Sequence, residues 1–316
     1  MSRAETDEVA PAAAGPAAGA VAAVAAAPAG VAPMAAEGRR PQTAAGFLAL
    51  FRSEVALTFR RVRTMALLGI LAVLPVLIGV VVRIQTGDAH GGEGPAFLAQ
   101  VSQNGLFLVF TSLAVALPVF LPMTVGVVAG DSIAGEASTG TLRYLLVAPA
   151  GRTRLLAAKF AAGLVFCAAA TATVALAALA TGAALFPLGE VTLISGDSIG
   201  LGAALLRAVL VAGVVAASLA GLVAIGLFVS TLTGSGIAAM ASTVGLVITV
   251  QILDSFPQLH AIQPYLFSHH WLSFADLLRQ PMYWDGVLRN LGVQAVYVAI
   301  FGSAAWARFT SRDVTA

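Results

Sequence analysis

Six apolar stretches fall at about 65–82, 105–130, 156–185, 205–230, 236–253 and 288–306, and none carries an Asp, Glu, Lys or Arg in its middle. Each comes near the roughly 20 residues that a helix needs to cross the hydrocarbon of a bilayer. Composition agrees with a lipid-embedded chain. The 316 residues are 59% hydrophobic and 10% charged, with a mean hydropathy of +0.92. A soluble domain carries about a quarter charged residues, so one soluble core cannot bury this much apolar sequence. The fold class predicted is an all-α integral membrane protein with six transmembrane helices.

The ends of the spans set the orientation. Arg39, Arg40, Arg52, Arg60, Arg61, Arg63, Arg143, Arg152, Arg154, Lys159, Arg308 and Arg312 fall on the side of the two termini, whereas the opposite side holds Arg83, Arg207, Arg279 and Arg289 and is richer in acids. The Lys/Arg bias predicts that both termini are cytoplasmic and that the chain is a multi-pass protein of the cell inner membrane. Residues 1–45 are rich in Ala, Pro and Gly, begin with Glu5, Asp7 and Glu8 rather than a basic segment, and predict a disordered tail rather than a signal peptide. The remainder, 46–316, is read as one domain. It opens with Phe47, Leu50, Phe51, Val55 and Phe59 at helical spacing among arginines, which predicts an amphipathic helix lying in the interface before the first span.

Several chemistries are excluded or disfavoured. Lys159 is the only lysine, and its setting is Ala-Ala-Lys-Phe rather than the Gly-Lys-Ser/Thr of a phosphate-binding loop, so nucleotide hydrolysis by that route is excluded. No cofactor and no catalytic residue is expected in this chain. Seventeen Lys+Arg stand against fifteen Asp+Glu, which gives no electrostatic case for nucleic acid. Cys167 is alone in an apolar run, so neither a disulfide nor a thiolate metal cluster is expected. His269, His270 and Asp276 lack a further ligand at fixed spacing, and no metal site is predicted. Spans without central charge disfavour an ion-coupled carrier, which needs intramembrane carboxylates or histidines.

The polar side chains of the spans are neutral. Most of them read as helix–helix hydrogen bonds. Those on the second and fifth spans (Thr111, Ser112, Thr124, Ser242, Thr243, Thr249 and Gln251) are the candidates for lining a pathway. Pro75, Pro118 and Pro122 interrupt the first two spans, and Gly213, Ala217 and Gly221 form a small-residue row that permits close helix approach. Residues 254–286 hold seven aromatics, which read as an interfacial belt or short re-entrant helices.

The segment from Gly130 to Arg154, between spans two and three, is the most informative. A short helix there would place Leu142, Leu145 and Leu146 on one face and Glu136 and Arg143 on another, with Pro149 and Gly151 ending it. Arg152, Arg154 and Lys159 would anchor the entry to the third span. Such an element suits either a docking site for a cytoplasmic partner or an ordinary interfacial helix.

At this point the chain resembles the ABC-2 family of ABC transporter permeases. These carry Gly-Glu-x-x-x-Gly-Thr-Leu-x-x-Leu-Leu-x-x-Pro between spans two and three, matched here by Gly135, Glu136, Gly140, Thr141, Leu142, Leu145, Leu146 and Pro149. Ser138 stands where many members have a second acid. The resemblance implies a transmembrane subunit with a cytoplasmic coupling helix. It further implies a separate ABC ATPase subunit, carrying ATP and Mg, and a second permease copy, identical or a paralogue. Glu136, Gly140, Thr141, Leu142 and Arg143 would belong to the coupling region, with Glu136 and Arg143 in polar contact with the ATPase. The implied activity is export, and the charge-free spans suit a hydrophobic or amphipathic cargo such as a drug, peptide or lipid. A non-transporting scaffold or sensor and an ATP-independent carrier stay open as alternatives.

Overall fold

A computed structural model describes residues 44–88, 101–140, 151–192 and 196–311. The tail 1–43 and the segment 141–150, with Thr141, Leu142, Arg143, Leu145, Leu146 and Pro149, lie outside the described residues. In chain order the helices are α1 (Ala44–Arg60), α2 (Val62–Asp88), α3 (Phe107–Ala116), α4 (Phe120–Ser138) and α5 (Arg152–Leu185), followed by α6 (Leu201–Ser218), α7 (Ala220–Leu232), α8 (Gly236–Ser255) and α9 (Asp285–Ser311). A two-residue antiparallel pair, Val191–Thr192 with Ser198–Ile199, precedes α6. Three 3₁₀ turns, Pro257–Leu259, Gln263–Tyr265 and Trp271–Leu278, join α8 to α9.

Helices dominate because lipid offers the backbone no hydrogen-bond partner, so each spanning segment must satisfy its own N–H and C=O groups. Among the described residues, five helical segments are long and apolar enough to cross a bilayer: Val62–Gln85, Arg152–Leu185, Leu201–Leu232, Gly236–Ser255 and Asp285–Ser311. The sixth is the pair α3 and α4, bent by 55°. The protein is therefore an all-α, multi-pass membrane protein, with α1 preceding the first span as the sequence predicts. One expectation needs correction. The second span does not end near residue 130 in a loop; α4 runs on to Ser138 and stops where Gly140 takes a positive φ of 72°. Glu136 thus belongs to the spanning helix and not to a short helix shared with Leu142 and Arg143.

Packing falls into two groups. α5 is the hub for α1, α2, α3 and α6, while α7 is the hub for α4, α8 and α9. Leu106, Leu108, Phe166, Leu219 and Leu222 are among the fully buried side chains between them. Close approach is by glycine where backbone meets backbone: a Cβ on Gly182 of α5 would fall 2.1 Å from the carbonyl oxygen of Gly105. The row in the fourth span is only partly used for this purpose. A Cβ at Gly221 would strike Gln294 of α9 at 2.5 Å, whereas Gly213 faces open space.

Both internal breaks are served by side chains. Pro122 has no N–H to give the carbonyl of Pro118, and Gln251 of α8 donates to that carbonyl instead. At the α6–α7 break, Trp271 Nε1 donates to the Ser218 carbonyl at 2.9 Å and the Gly221 N–H donates to Gln294 Oε1 at 3.2 Å. Gln294 Nε2 also reaches the Phe267 carbonyl at 2.8 Å, and Asn290 Nδ2 donates to Ser218 Oγ at 2.6 Å. Phe267, Trp271 and Phe274 are buried against this network, so these three close the bundle end rather than form an interfacial belt. Phe256, Tyr265, Tyr283 and Trp284 are exposed.

Candidate functional site

Six charged side chains converge at the bundle end where α1 lies. Lys159, about two turns into α5, is 4% exposed, and its Nζ donates to Glu136 Oε1 of α4 at 2.6 Å and to Glu54 Oε2 of α1 at 2.9 Å. Both carboxylates are buried as well. Beside this triad, Asp131 of α4 accepts from Arg61 Nη1 at 2.5 Å and from Arg63 Nη2. Arg61 and Arg63 straddle the junction of α1 and α2. Three acids therefore pair with three bases and their formal charges cancel; all of them but Asp131 line one hollow of about 30 Å³.

The local sequence explains why the cluster closes. Glu54 and Thr58 lie one turn apart on the face of α1 that meets α5. Asp131 fits because its neighbours are glycines: a Cβ at Gly135 would fall 2.6 Å from its Oδ1, and one at Gly236 of α8 would fall 2.4 Å away. Ser230 Oγ of α7 accepts from the backbone N–H groups of Ile133 and Ala134 at 3.0 and 2.8 Å. The end of α4 is thus held by α1, the start of α2, α5, α7 and α8 together.

A charge taken from water into low dielectric is tolerated only when paired and hydrogen-bonded. Removing one member of such a cluster costs about 3–5 kcal/mol, because its partner stays buried and uncompensated. A hollow of about 30 Å³ has no room for a substrate, so the cluster joins helices rather than binding cargo. What it joins is specific: α4 leads directly into the segment 139–151, and α5 leads directly out of it. Among the described residues, no three His, Cys, Asp or Glu side chains converge as metal ligands.

The structure redistributes the side chains singled out in the sequence. Glu136 turns its carboxylate inward to Lys159; Gly140 ends α4, exposed, at its positive φ. Lys159 is a buried partner and not an interfacial anchor, because the two carboxylates leave it no reason to snorkel. Thr111, Thr124 and Thr243 are buried and bond carbonyls of their own helices, at Phe107, Leu121 and Ala239. Ser112 is fully buried. Ser242 and Thr249 lie on the exposed face of α8. Of the seven, Gln251 borders an open groove, about 250 Å³ in volume, between α4 and α8, with Pro118, Met123, Ile248 and Ser255. On the opposite side of the bundle, His269 Nδ1 lies 2.7 Å from Asp254 Oδ1, apart from Asp276.

Sequence reasoning missed Glu54, Asp131, Asn290 and Gln294 as structural partners. For Lys159 a signal was present, since a lone lysine inside Leu155–Phe166 needs an acid nearby. Nothing local indicates that the acids lie 105 and 23 residues away.

The family described as ABC-2 family transporter protein matches residues 48–270, a range that holds the whole charged cluster. No curated protein sequence matches the chain.

Proposed function

The chain belongs to the ABC-2 transporter family, and from that premise we propose that it is the permease subunit of an ATP-driven exporter whose nucleotide hydrolysis takes place in a separate ABC ATPase subunit. ATP and Mg bind that partner, which docks on the segment running from Glu136 through Gly140, Thr141, Leu142 and Arg143. The observation that carries the reading is the neutral cluster immediately beside this segment. Because Glu136 and Asp131 tie the end of α4 to α1, α2 and α5, a push on the segment cannot be absorbed locally and must displace the spans. The roles divide accordingly: Arg143 meets the partner, and Glu136 transmits from within.

The Lys/Arg bias supports placing both termini, α1 and the cluster in the cytoplasm, with the chain in the inner membrane. A second permease copy, identical or a paralogue, is assigned to the exposed face of α8. Ser242, Gly245 and Thr249 put small and polar residues on that face beside Ile248 and Ile252, whereas α2 and α9 expose Ile70, Val73, Leu77, Leu288, Val296 and Ile300. The groove beside Gln251 then lies next to the pathway between copies, and its largely apolar wall supports a hydrophobic or amphipathic cargo.

The test is purification with the native ATPase partner in mild detergent, followed by ATP hydrolysis with and without this chain. Arg143→Glu is expected to lower chain-dependent hydrolysis and partner retention together. Glu136→Gln is expected to lower hydrolysis while the partner stays bound. Partner binding that ignores nucleotide, with hydrolysis unchanged in both variants, would instead identify a scaffold.

A further inference from the structure

The side of α1 turned away from the charged cluster faces outward. α1 is fastened to α5 by Glu54, which accepts from Lys159 at 2.9 Å, and by Phe59, whose ring centre lies 6.3 Å from that of Phe166. At about 100° per residue, Ala49, Arg52, Ala56 and Arg60 fall within an arc of about 80° on the other side of the helix, and all four are exposed. Leu48 and Leu57 stand exposed at the two margins of that arc. The apolar surface then runs on into the first span, through Val62, 83% exposed, and Met65.

The charge on this face is uncompensated. Glu54 is the only acid of α1, and it is buried on Lys159. Ser53 Oγ donates to the Leu50 carbonyl and Thr58 Oγ1 to the Glu54 carbonyl, so both hydroxyls are used within the helix. Arg61 and Arg63, at the junction with α2, are held by Asp131. Arg52 and Arg60 pair with no carboxylate among the described residues. They stand about 12 Å apart along the helix axis, far enough to reach separate headgroups.

We propose that this face of α1 is a binding surface for the acidic phospholipids of the adjoining leaflet, with Arg52 and Arg60 each on a headgroup phosphate and Leu48 and Leu57 set into the acyl boundary. Charge and surface both point to that occupant. The face offers cations and no acid, which matches an anionic leaflet, whereas a zwitterionic headgroup brings its own cation to the same place. Exposed leucines flanking arginines suit a layer that is apolar on one side of a plane of phosphates, because a guanidinium reaches the phosphates while its aliphatic stem stays in the apolar layer. Continuity with Val62 and Met65 at the entry to the first span sets the face at the bilayer surface. Lipid then grips α1 from outside while Lys159 grips it from within.

The test uses the full chain and does not depend on the permease reading. Ala49→Cys, in the middle of the exposed arc, is labelled with bimane; the native Cys167 is buried, and the wild-type chain treated in the same way supplies the background. The protein is reconstituted in phosphatidylcholine vesicles containing a minor share of nitroxide-labelled phosphatidylglycerol or the same share of nitroxide-labelled phosphatidylcholine. At low salt the phosphatidylglycerol should quench about fivefold more effectively, the preference given by one arginine near the headgroups. The preference should shrink at about 1 M salt, where charges are screened within about 3 Å. Arg52→Gln with Arg60→Gln should abolish it, and Arg52→Lys with Arg60→Lys should keep it; all four substitutions change exposed side chains that the ion cluster does not use. Equal quenching by the two lipids overturns the proposal. So does quenching by neither lipid, which would mean that water or a protein surface meets this face. A preference that survives the glutamine pair, or one that is lost in the lysine pair, overturns it as well.

Discussion

Lys159→Met is the most informative single perturbation of the charged cluster. The ammonium bridges two buried carboxylates, at 2.6 Å to Glu136 and 2.9 Å to Glu54, and its side chain is 2% exposed. Met keeps the length and volume of the stem while deleting the charge, so a loss cannot be assigned to a cavity. Two acids then remain in a site without their counter-ion, which costs about 3–5 kcal/mol of folding free energy. The triple variant Glu54→Met, Lys159→Met, Glu136→Met removes every member of the triad and should return close to wild type, since an apolar replacement of a complete ion triad is near neutral or stabilising. The two results together give a coupling far from additive, as expected for three groups in one network. The measurement is reversible unfolding in mixed micelles at increasing dodecyl sulfate, followed by tryptophan fluorescence. A single variant within about 0.5 kcal/mol of wild type, the range of an ordinary surface change, would refute the burial argument. A triple variant as unstable as the single one would refute the pairing argument.

Other consequences follow from the same coordinates. Gly182→Ala should destabilise by about 1–3 kcal/mol, because its new methyl meets the backbone of residue 105, whereas Gly213→Ala, in open space, should be neutral or gain up to about 1 kcal/mol of helix propensity; thermal unfolding of the two variants compares them directly. Gln251→Ala should cost about 1 kcal/mol by leaving the Pro118 carbonyl without its donor, and Pro122→Ala should suppress that loss by restoring a backbone N–H. Burial, with His269 and Arg289 nearby, holds the His270 imidazole below its ordinary value of 6.5, against smaller opposing effects of a backbone hydrogen bond at Pro264 and of Asp254. A base held down in the folded state favours the native form fully above its ordinary value, and that contribution is lost as pH falls below it. Limited proteolysis of residues 257–284 should therefore accelerate between neutral and mildly acidic pH, and less so in His270→Asn.

The spans were legible in the sequence because the signal is local. A run of about twenty apolar residues states its own fate in lipid, and α2, α5, α8 and α9 begin and end within about six residues of their expected places. The end of the second span was not legible for the opposite reason. Gly130-Asp131-Ser132 and Gly135-Glu136 look like a loop by propensity, yet α4 continues through them. The helix persists because Asp131 and Glu136 find cations, because Ser230 bonds its backbone, and because the glycines admit α8 at close range. Each of these contacts reaches across at least 23 residues of chain, beyond any window in which periodicity is read. The matched motif names Glu136 without indicating that its carboxylate meets Lys159, since a motif records residue types and not the side on which a helix presents them.

The distribution of polar contacts also determines where the fold can yield. One hub, the charged cluster, fastens the ends of α1, α2, α4 and α5; the other, Ser218, Asn290, Gln294 and Trp271, fastens α6, α7 and α9 to the 3₁₀ segment. Both hubs are built from bonds that break abruptly with distance, so a change of packing that preserves them must be taken up elsewhere. Intact helix is a poor place, because each disrupted backbone pair in lipid is costly. The bend between α3 and α4 is different: Pro118 and Pro122 have already removed two backbone bonds, and Gln251 supplies a donor from a flexible side chain that can follow the carbonyl as the angle changes. The compliance of the second span is therefore concentrated at Pro118, midway between the segment 139–151 and the opposite bundle end, and beside the groove that Gln251 borders. On the proposed docking of an ATPase at the end of α4, a force entering there passes Asp131 and Glu136 and is expected to be taken up as bending at the point of that span where bending costs least.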